Sequence, residues 1–425
     1  MRPITTRRER ILTTLDHREP DRIPVDFGAT PVTGMHVLAI ENLRRYLGLT
    51  PGPVKVTEPY QMLGELDEEL CNILELDAVG VSPRNTMFGF PNEGWKEWRT
   101  PWGQEVLVPR DFNVTYTDRG DVLMYPEGDT GAEPCARMPV NGYFFDAIPR
   151  QDPIDHEHLN VEDNLEEFSL LAEEDVTYFK KEIRAAHATG KAVVANFGGT
   201  ALGDIALVPA LHLKHPKGIR EVTEWYMATV MHPDYVKEIF DRQTDIALQN
   251  LARLNDEVGH MVDVIFLCGT DFGTQNSQFC SEETLLDLYG PYYRKMTEWI
   301  HKNTRWKVFK HSCGAVEPFI RHFIDFGFDI LNPVQVSATG MSPEHLKKSY
   351  GRDIAFWGGG VDTQHVLPFG TPEEVEAQVL RHCEIFGEGG GFVFNTVHNI
   401  QANVPVENIV AMFNALRKYN KQDTL

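Results

Sequence analysis

The feature that most constrains the fold is a regular alternation, from residue 163 onward, of short apolar runs with segments of helical spacing. Runs typical of buried strands occupy residues 192–196, 263–267, 306–310, 329–332, 354–357 and 392–395. Between them, apolar residues recur every three or four positions, as on one face of a helix. Strands that alternate with helices form parallel sheets, and continuously apolar strands are buried on both faces. We therefore predict an α/β fold, a closed (β/α)8 barrel of the TIM type.

The N-terminal part of the chain is predicted to add an extension and two further strands. The strands are residues 23–27 and 76–81, and helical spacing is found at 4–18, 36–48 and 60–75. Residues 87–150 are instead rich in aromatic residues, Gly and Pro, with alternating segments typical of β-hairpins. We predict one barrel domain, residues 1–425, with a β-rich insertion at about 87–150. The aromatic residues of the insertion either close over a hydrophobic substrate or form a small core of their own.

The charge of the chain excludes several classes of partner. Its 425 residues include 40 Lys and Arg against 62 Asp and Glu, a formal net charge of −22. Nucleic acids and anionic membrane surfaces attract basic proteins, so we expect no nucleic acid and no membrane as a main partner. No apolar run reaches the length of a transmembrane helix or resembles a signal peptide. The six cysteines show no disulfide spacing, and we expect a cytoplasmic protein with reduced thiols.

Polar side chains follow most of the late strands. In a (β/α)8 barrel the residues just after each strand converge at one mouth, where ligands bind. By that rule the expected substrate-binding residues are Asn196, Gln275, Asn332, Gln335 and Asp362, and the metal-capable ones are Asp271, His311, Cys313 and His398. For Asp271 four roles stay open: metal ligand, substrate contact, orientation of a ligand histidine, or cap of its own loop.

The pair His311 and Cys313 is the strongest indication of chemistry. Both point to the same side if residues 308–310 are a strand, because alternate residues of an extended chain share a face. Imidazole and thiolate are good zinc ligands, and two of them at a strand end make half of a zinc site. The alternative is a hydrogen-bonded core pair, since buried cysteines are common in proteins.

Three stretches of the chain carry a resemblance to a known family. They are residues 8–25, residues 271–291, and a C-terminal block with His-Ser-Cys-Gly at 311–314, Gly-Gly-Gly-Val-Asp at 358–362, Asn-Thr-Val-His at 395–398 and Pro-Val-Glu-Asn at 405–408. With these motifs the chain resembles the uroporphyrinogen decarboxylase superfamily over most of its length, apart from the insertion. The resemblance implies a TIM-type barrel and an enzyme of one of two kinds.

The decarboxylase branch fits the chain poorly. True decarboxylases carry an N-terminal Arg-Gln-Ala-Gly-Arg stretch that binds the carboxylates of the tetrapyrrole, whereas this chain continues after Val25 with Asp-Phe-Gly-Ala-Thr. They also place an essential Asp shortly after a strand, and the corresponding residue here is Arg84. A decarboxylase that acts on another substrate without a metal stays an alternative.

The other branch comprises zinc-dependent methyltransferases that work with corrinoid proteins. They hold zinc with a His-x-Cys pair and a distant Cys shortly before Pro-x-Glu-Asn. Here His311 and Cys313 match the pair, and His398 stands at the distant place. The resemblance implies Zn²⁺ held by these three residues, a small substrate with an O-, N- or S-methyl group, and a corrinoid protein as partner. It also suggests a homodimer.

A zinc-dependent methyltransferase is therefore the predicted function, with His311, Cys313, His398 and Asp271 as catalytic residues. Zinc acts as a Lewis acid on the heteroatom of the substrate. Because His398 replaces a thiolate by a neutral imidazole, the metal is expected to polarise an ether or amine rather than to generate a thiolate. An alternative of another class is a catalytically silent barrel that serves as a binding module.

Overall fold

Seven parallel strands form the central sheet of the computed structural model, which describes residues 5–425. In chain order they are β1 (Ala78–Val81), β2 (Ala192–Ala195), β3 (Val264–Cys268), β4 (Lys307–His311), β5 (Ile330–Asn332), β6 (Ala355–Trp357) and β7 (Phe392–Val393). Each strand pairs in parallel with the next one along the chain. The predicted strands are therefore confirmed, because a strand buried on both faces is recognisable from its apolar run alone.

The segment 23–27 closes this sheet into a barrel. On one side, the N–H of Phe394, just after β7, donates to the Pro24 carbonyl at 2.8 Å. On the other side, the N–H of Asp77, just before β1, donates to the Val25 carbonyl at 2.8 Å. The segment thus lies between β7 and β1 as the eighth strand, and the predicted α/β class with a TIM-type barrel is confirmed.

Within residues 5–425, eight helices follow the eight strands. They are Val37–Tyr46, Glu173–Ala188, Pro233–Val258, Gly290–Asn303, Glu317–Asp325, Pro343–Tyr350, Pro372–Gly387 and Val406–Tyr419. Further helical segments are Arg7–Leu15, Glu68–Ile73, Val222–Met231, Glu282–Thr284 and Val366–Phe369, a π-helical turn at Leu285–Tyr289, and 3₁₀ turns at Pro126–Gly128, Val161–Asn164 and Gly259–Met261. Residue 4, where the first predicted helix begins, lies outside the described residues. No helix in the described part of the chain is both long and apolar enough to cross a membrane.

One predicted helix is largely wrong. The helix expected at 60–75 is confined to Glu68–Ile73, because residues 54–64 contain two paired strands instead. Gly64 permits this arrangement, since a Cβ at that position would stand only 2.7 Å from the nearest side-chain atom. The helical spacing of apolar residues was therefore misleading at the start of this range.

Alternate strand residues build two separate cores. Inside the barrel lie side chains from all seven strands, among them Ala78, Val194, Phe266, Phe309, Ile330, Ala355, Trp357 and Val393. Side chains that point outward, such as Val308 and Phe356, pack against the helices. Because Phe309 points inward, so does His311, two residues further along β4. Strand alternation therefore carries the His311 ring to the barrel mouth.

A buried ion-pair cluster holds the closing segment at the opposite end of the barrel. The carboxylate of Asp77 is fully buried and accepts hydrogen bonds from Arg10 at 2.6 Å and from Arg22 at 3.0 Å. It also accepts the N–H of Val25 at 2.9 Å. Two guanidinium groups and a backbone donor compensate the cost of burying this charge. The cluster thereby links the segment 23–27 to β1.

The region 87–150 is rich in strands, as expected for the insertion. One four-stranded sheet consists of Val54–Glu58, Leu63–Gly64, Lys96–Arg99 and Glu105–Val108, and a second consists of Val114–Tyr116, Val122–Met124, Ala136–Met138 and Asp146–Ala147. The buried rings of Phe88, Phe90, Phe112 and Phe145 pack against one another, with centroids 5.9 to 6.4 Å apart. The insertion therefore has a small aromatic core of its own. The organisation as a single domain stays a prediction.

Candidate metal centre

His311 ends β4, and one asparagine determines which ring nitrogen carries its proton. Asn332, at the end of β5, donates from Nδ2 to the Trp357 carbonyl at 2.7 Å, so its Oδ1 is the atom that faces His311. An amide oxygen only accepts, and therefore His311 Nδ1–H donates to Asn332 Oδ1, at 2.6 Å. The lone pair of His311 Nε2 is left free to bind a metal.

Cys313 follows in a loop that its neighbours hold in place. Its Sγ lies 3.4 Å from His311 Nε2. Its backbone N–H donates to Asp271 Oδ1 at 2.6 Å, and the next N–H, of Gly314, donates to Gln335 Oε1 at 2.7 Å. Gly314 has a φ of +89°, and a Cβ there would stand 2.3 Å from the backbone of the loop after β3. Only glycine fits between the two loops, so their close approach depends on it.

His398 reaches the same point from the loop after β7. That loop is anchored by Asn395, whose Nδ2 donates to the Asp26 carbonyl at 2.6 Å. The His398 and His311 rings lie 5.6 Å apart between centroids, with an angle of 72° between their planes. One ligand atom from each of His311, Cys313 and His398 lies within 4.8 Å of the other two. The fold therefore brings together the three residues that the sequence nominated as metal ligands.

The donor set fits zinc, and so does the separation of the His311 and Cys313 ligand atoms. Zinc binds imidazole nitrogen at about 2.0–2.1 Å and thiolate at about 2.3 Å, and a tetrahedron then places neighbouring ligand atoms about 3.3–3.8 Å apart. The separation of 3.4 Å between Cys313 Sγ and His311 Nε2 falls in that range. Two nitrogens and one sulfur are three protein ligands, the number found in catalytic rather than structural zinc sites.

Burial sets the protonation state of the three side chains. It lowers the pKa of His311 and lowers that of His398 to about 4, because the protein interior disfavours the charged imidazolium. Both rings are therefore neutral, the form in which histidine binds metals. Burial raises the pKa of the Cys313 thiol, and the Asp271 carboxylate raises it further. A cation held between the three groups would reverse that effect and favour the thiolate.

Asp271 stands beside the three candidate ligands. Its Oδ1, which accepts the Cys313 N–H, lies 3.6 Å from His311 Nε2. The carboxylate therefore caps the Cys313 loop and places a negative charge next to the imidazole. Its role as a fourth ligand or as a substrate contact stays a prediction.

A cavity of about 1260 Å³ opens beside these residues. His311 and His398 line it, together with Asp271 and the predicted substrate-binding residue Asn196. Most of its wall is apolar, and the aromatic part of the wall includes Tyr60, Phe144, Phe145 and Tyr178. A concave and mostly apolar space with a few polar groups at one end is typical of sites for small molecules.

Gln275 and Gln335 support the site from behind. Gln335 Nε2 donates to Gln275 Oε1 at 3.0 Å, and Gln275 Nε2 donates to the Ser337 carbonyl at 2.7 Å. With the bond from Gln335 to Gly314, they connect the loops after β3, β4 and β5. Like Asn332, both are absent from the described cavity wall, and substrate binding by these three residues stays a prediction.

Asp362 and Asn196 cap their own loops. Asp362 Oδ1 accepts the Gln364 N–H at 2.9 Å, and Asp362 Oδ2 lies 3.1 Å from His365 Nδ1. Asn196 Oδ1 accepts the Gly198 N–H at 3.0 Å. The cavity wall includes Asn196 but not Asp362. Asn196 is therefore the better placed of the two to meet a substrate.

Lys310 is a buried residue of the site that the sequence reasoning missed. It is fully buried on the outer face of β4, and its Nζ donates to the carbonyls of Thr270 at 2.6 Å and His311 at 2.5 Å. The ammonium also lies 5.0 Å from the centroid of the Phe272 ring. It thus ties the loop after β3 to the end of β4. The available signal was a lysine directly after the apolar pair Val308 and Phe309, in a run predicted to be a buried strand.

Asp204 is a second residue that was missed. It lies in the long loop after β2 and lines the cavity together with Asp271 and both histidines. Burial, and next the negative charge of Asp271, raises the pKa of Asp204 to about 6. The sequence analysis looked for site residues directly after each strand. That rule selected Asn196, but Asp204 lies eight residues further along the chain.

Comparison with known proteins identifies one family. The family model described as uroporphyrinogen decarboxylase matches residues 151–419. The uroporphyrinogen decarboxylase of Pseudoalteromonas atlantica is 41% identical over 79 residues, which are 19% of this chain and 21% of that protein. The one of Mannheimia succiniciproducens is 40% identical over 53 residues, 12% of this chain and 15% of that protein. The chain thus matches no more than about a fifth of the length of these curated relatives.

A solved structure resembles the chain over nearly all of its length. A methyltransferase from Methanosarcina mazei superposes with a TM-score of 0.55 and covers 98% of this chain and 99% of that one. The two sequences are 14% identical. At that identity the likeness establishes the shared fold, including the barrel.

Proposed function

The chain belongs to the uroporphyrinogen decarboxylase family, and within that family we propose that it is a zinc-dependent methyltransferase. It would move a methyl group between a small methylated substrate and a corrinoid carried by a partner protein. The observation that carries the proposal is the meeting of His311, Cys313 and His398, with ligand atoms within 4.8 Å of one another at the barrel mouth. Active sites of TIM barrels lie at this end.

The chain's own residues have distinct parts in this function. His311, with its proton held on Nδ1 by Asn332, presents Nε2 as a ligand. Cys313 supplies the single anionic ligand, and His398 supplies a second neutral one. When bound, zinc would act as a Lewis acid on the heteroatom that carries the methyl group. These three ligands carry one thiolate charge, which is fewer than in a site with two thiolates, and this supports an ether or amine as the polarised group.

The charges around the cavity argue against the decarboxylase alternative. A site for a polycarboxylate needs cationic side chains. The acidic residues of the described cavity wall are Glu58, Glu65, Asp146, Glu167, Glu182, Asp204 and Asp271. Among the lysines and arginines of the described chain, that wall includes Lys191 alone. Arg84, the candidate for binding carboxylates, is absent from that wall and is bonded to Glu93 at 2.8 Å.

A catalytically silent barrel is not expected to have a set of metal-binding side chains beside a cavity. Here three metal-capable side chains surround one point, and two of them line a cavity of about 1260 Å³. This arrangement supports an enzyme over a passive binding module.

Metal content and methyl transfer together test the proposal. We expect the purified protein to hold about one zinc per chain and the His398→Ala variant to lose most of it, because one of three protein ligands is removed. The matched control is His158→Ala, since His158 is exposed and its ring is bonded to the exposed Asp155 three residues away. Methyl transfer is measured as the change in the absorbance of a reduced cobalamin offered with methylated substrates.

The outcomes separate the alternatives. Loss of both zinc and methyl transfer in His398→Ala, with both kept in His158→Ala, supports the proposal. Full zinc content and full activity in His398→Ala would refute the ligand set. A wild-type protein that transfers no methyl group but releases CO₂ from a carboxylated substrate would favour the decarboxylase.

A further inference from the structure

We propose that a groove beside β1 binds an amphiphilic monocarboxylate, whose carboxylate pairs with the buried ammonium of Lys191. The groove is the part of the cavity that is lined by Leu66, Cys71, Val79, Tyr178, Ala186 and Lys191. The proposed methyl transfer does not involve these residues, so the two proposals can fail separately.

The groove exists because the outer face of β1 is left partly open. Val79, on that face, is only half-buried, whereas every residue of β2 and β3 is buried. The groove runs between Cys71, on the helix Glu68–Ile73, and Tyr178, on the helix Glu173–Ala188. Its side chains are mostly apolar, so it offers a place for the hydrocarbon part of a ligand.

Lys191 places an unpaired positive charge at the end of the groove. The residue is buried, with 8% of its surface exposed. Among residues 5–425, no oxygen atom accepts a hydrogen bond from its ammonium and no carboxylate forms an ion pair with it. Its polar neighbour is the sulfur of Cys71, a weak acceptor whose own proton goes to the Leu66 carbonyl at 3.1 Å. A buried cation without an anion is unfavourable, and an anionic ligand would remove that cost.

The carboxylates of the cavity wall nearest in the chain to these residues already have cations of their own. Glu65 is paired with Lys55 at 3.0 Å, and Glu182 is paired with Lys181 at 2.9 Å. They therefore do not neutralise Lys191, but they would repel a second negative charge in the groove. One anionic group fits this wall, and two do not.

A third carboxylate, Asp26, acts on Lys191 from further away. It is fully buried, and its oxygens accept the Trp357 Nε1–H at 2.9 Å and the Ala29 N–H at 3.1 Å. These bonds hold Asp26 inside the barrel, so it does not reach the ammonium. The groove thus keeps one cation for a ligand.

The site lies at the opposite end of β2 from the candidate metal centre. Lys191 directly precedes this strand, and Asn196 directly follows it. At about 3.3 Å per residue, the five steps between them place their backbone positions about 16 Å apart. A carboxylate paired with Lys191 therefore lies away from the metal ligands at the barrel mouth.

The test compares octanoate with octanamide, which has the same hydrocarbon chain and no charge. Their affinities for the purified protein are measured by titration calorimetry. We expect the wild type to bind octanoate at least about 10-fold more tightly, because only octanoate forms a charge-assisted bond with Lys191. This preference should disappear in Lys191→Met and persist in Lys191→Arg, which keeps the positive charge. Octanedioate, which carries a second carboxylate into the groove, should bind at least about 10-fold more weakly than octanoate.

Three controls separate ligand binding from structure and from the metal. Lys348→Met removes an exposed lysine outside the cavity wall and should bind both probes as the wild type does. Removal of zinc by a chelator should leave the affinity for octanoate unchanged. Without ligand, Lys191→Met should be at least as stable in urea as the wild type, because it replaces an unpaired buried charge by an apolar side chain of similar size.

Cys71 reports where the ligand lies. By mass action, octanoate at about ten times its Kd should slow the reaction of Cys71 with N-ethylmaleimide about 10-fold. The half-buried Cys280, which is absent from the cavity wall, should react at an unchanged rate. Mass spectrometry of the labelled peptides distinguishes the two cysteines.

Several results would overturn the site. They are equal affinities of the wild type for octanoate and octanamide, an unchanged preference in Lys191→Met, or an unprotected Cys71. Loss of octanoate binding on removal of zinc would place the carboxylate on the metal instead. Lower stability of ligand-free Lys191→Met together with an unchanged preference would make Lys191 a structural residue. None of these results bears on methyl transfer, which the zinc content and activity of His398→Ala test separately.

Discussion

Replacing Asn332 by alanine tests whether β5 prepares His311 to bind a metal. In the wild type, Asn332 Oδ1 accepts the proton of His311 Nδ1 at 2.6 Å, and Asn332 Nδ2 donates to the Trp357 carbonyl at 2.7 Å. Alanine removes both bonds from a fully buried position. His311 can then carry its proton on either ring nitrogen, and only one of the two forms presents Nε2 as a ligand.

The expected magnitude follows from these two bonds. Loss of a hydrogen bond that orients a ligand histidine weakens metal binding about 10- to 100-fold, or about 1.4–2.7 kcal/mol. The metal-free protein loses stability as well, because the buried His311 N–H and the Trp357 carbonyl are left unpaired. At about 1–3 kcal/mol for each of the two groups, we expect a loss of about 2–6 kcal/mol in the free energy of unfolding.

The assay measures zinc affinity by competition with a chromophoric chelator and stability by urea unfolding of the metal-free protein. The matched control is Asn408→Ala. Asn408 is also a buried asparagine, and its Nδ2 donates to two backbone carbonyls, of Leu367 at 2.8 Å and Gly370 at 2.9 Å. We expect this variant to lose comparable stability but to bind zinc as tightly as the wild type.

Equal zinc affinity in Asn332→Ala and wild type would refute the reasoning, because the orientation of His311 would then not depend on Asn332. An equal loss of zinc affinity in Asn408→Ala would also refute it, since the effect would follow stability alone.

Two further predictions concern the fold. Asp77→Asn leaves the buried guanidinium groups of Arg10 and Arg22 without their shared carboxylate. We expect the free energy of unfolding, measured in urea, to fall by about 3–5 kcal/mol. Unchanged stability would contradict a role of this cluster in barrel closure. Burial lowers the pKa of His36 to about 4, below about 6.5 in the unfolded chain. Between about pH 4 and about pH 6.5 the unfolded state therefore binds more protons at His36 than the folded state does. The contribution of His36 to stability is fully present above about pH 6.5, and the free energy of unfolding falls by about 3 kcal/mol as the pH decreases towards about 4. Urea midpoints across this range should depend less on pH in His36→Asn, and an equal dependence would contradict the assignment.

The barrel was predictable because its strands carry an unambiguous signal. Strands such as β2 and β3 are buried on both faces and are therefore apolar throughout. The paired strands at 54–64 were not predictable in this way. They are short, and their apolar residues also fit the spacing of a helix. Pairing with the distant segment Glu105–Val108, which sequence spacing does not reveal, decides their structure.

The candidate site was predictable to the extent that it follows from topology. The ends of parallel strands meet at one mouth, and this placed His311, Cys313 and His398 together although the last is 85 residues beyond the second. The direction in which Asn332 points depends on its bond to Trp357, a contact that no spacing encodes. Asp204 was hidden for a related reason, since it lies well beyond the end of its strand.

X-ray absorption at the zinc edge of the purified wild-type protein tests the central claim most directly. If His311, Cys313 and His398 hold the metal, the spectrum will contain one sulfur at about 2.3 Å and two imidazole nitrogens at about 2.0–2.1 Å, with one further light atom in the open position. Protein that holds no zinc in stoichiometric amount, or a zinc shell without sulfur or with two or more sulfurs, would contradict the account.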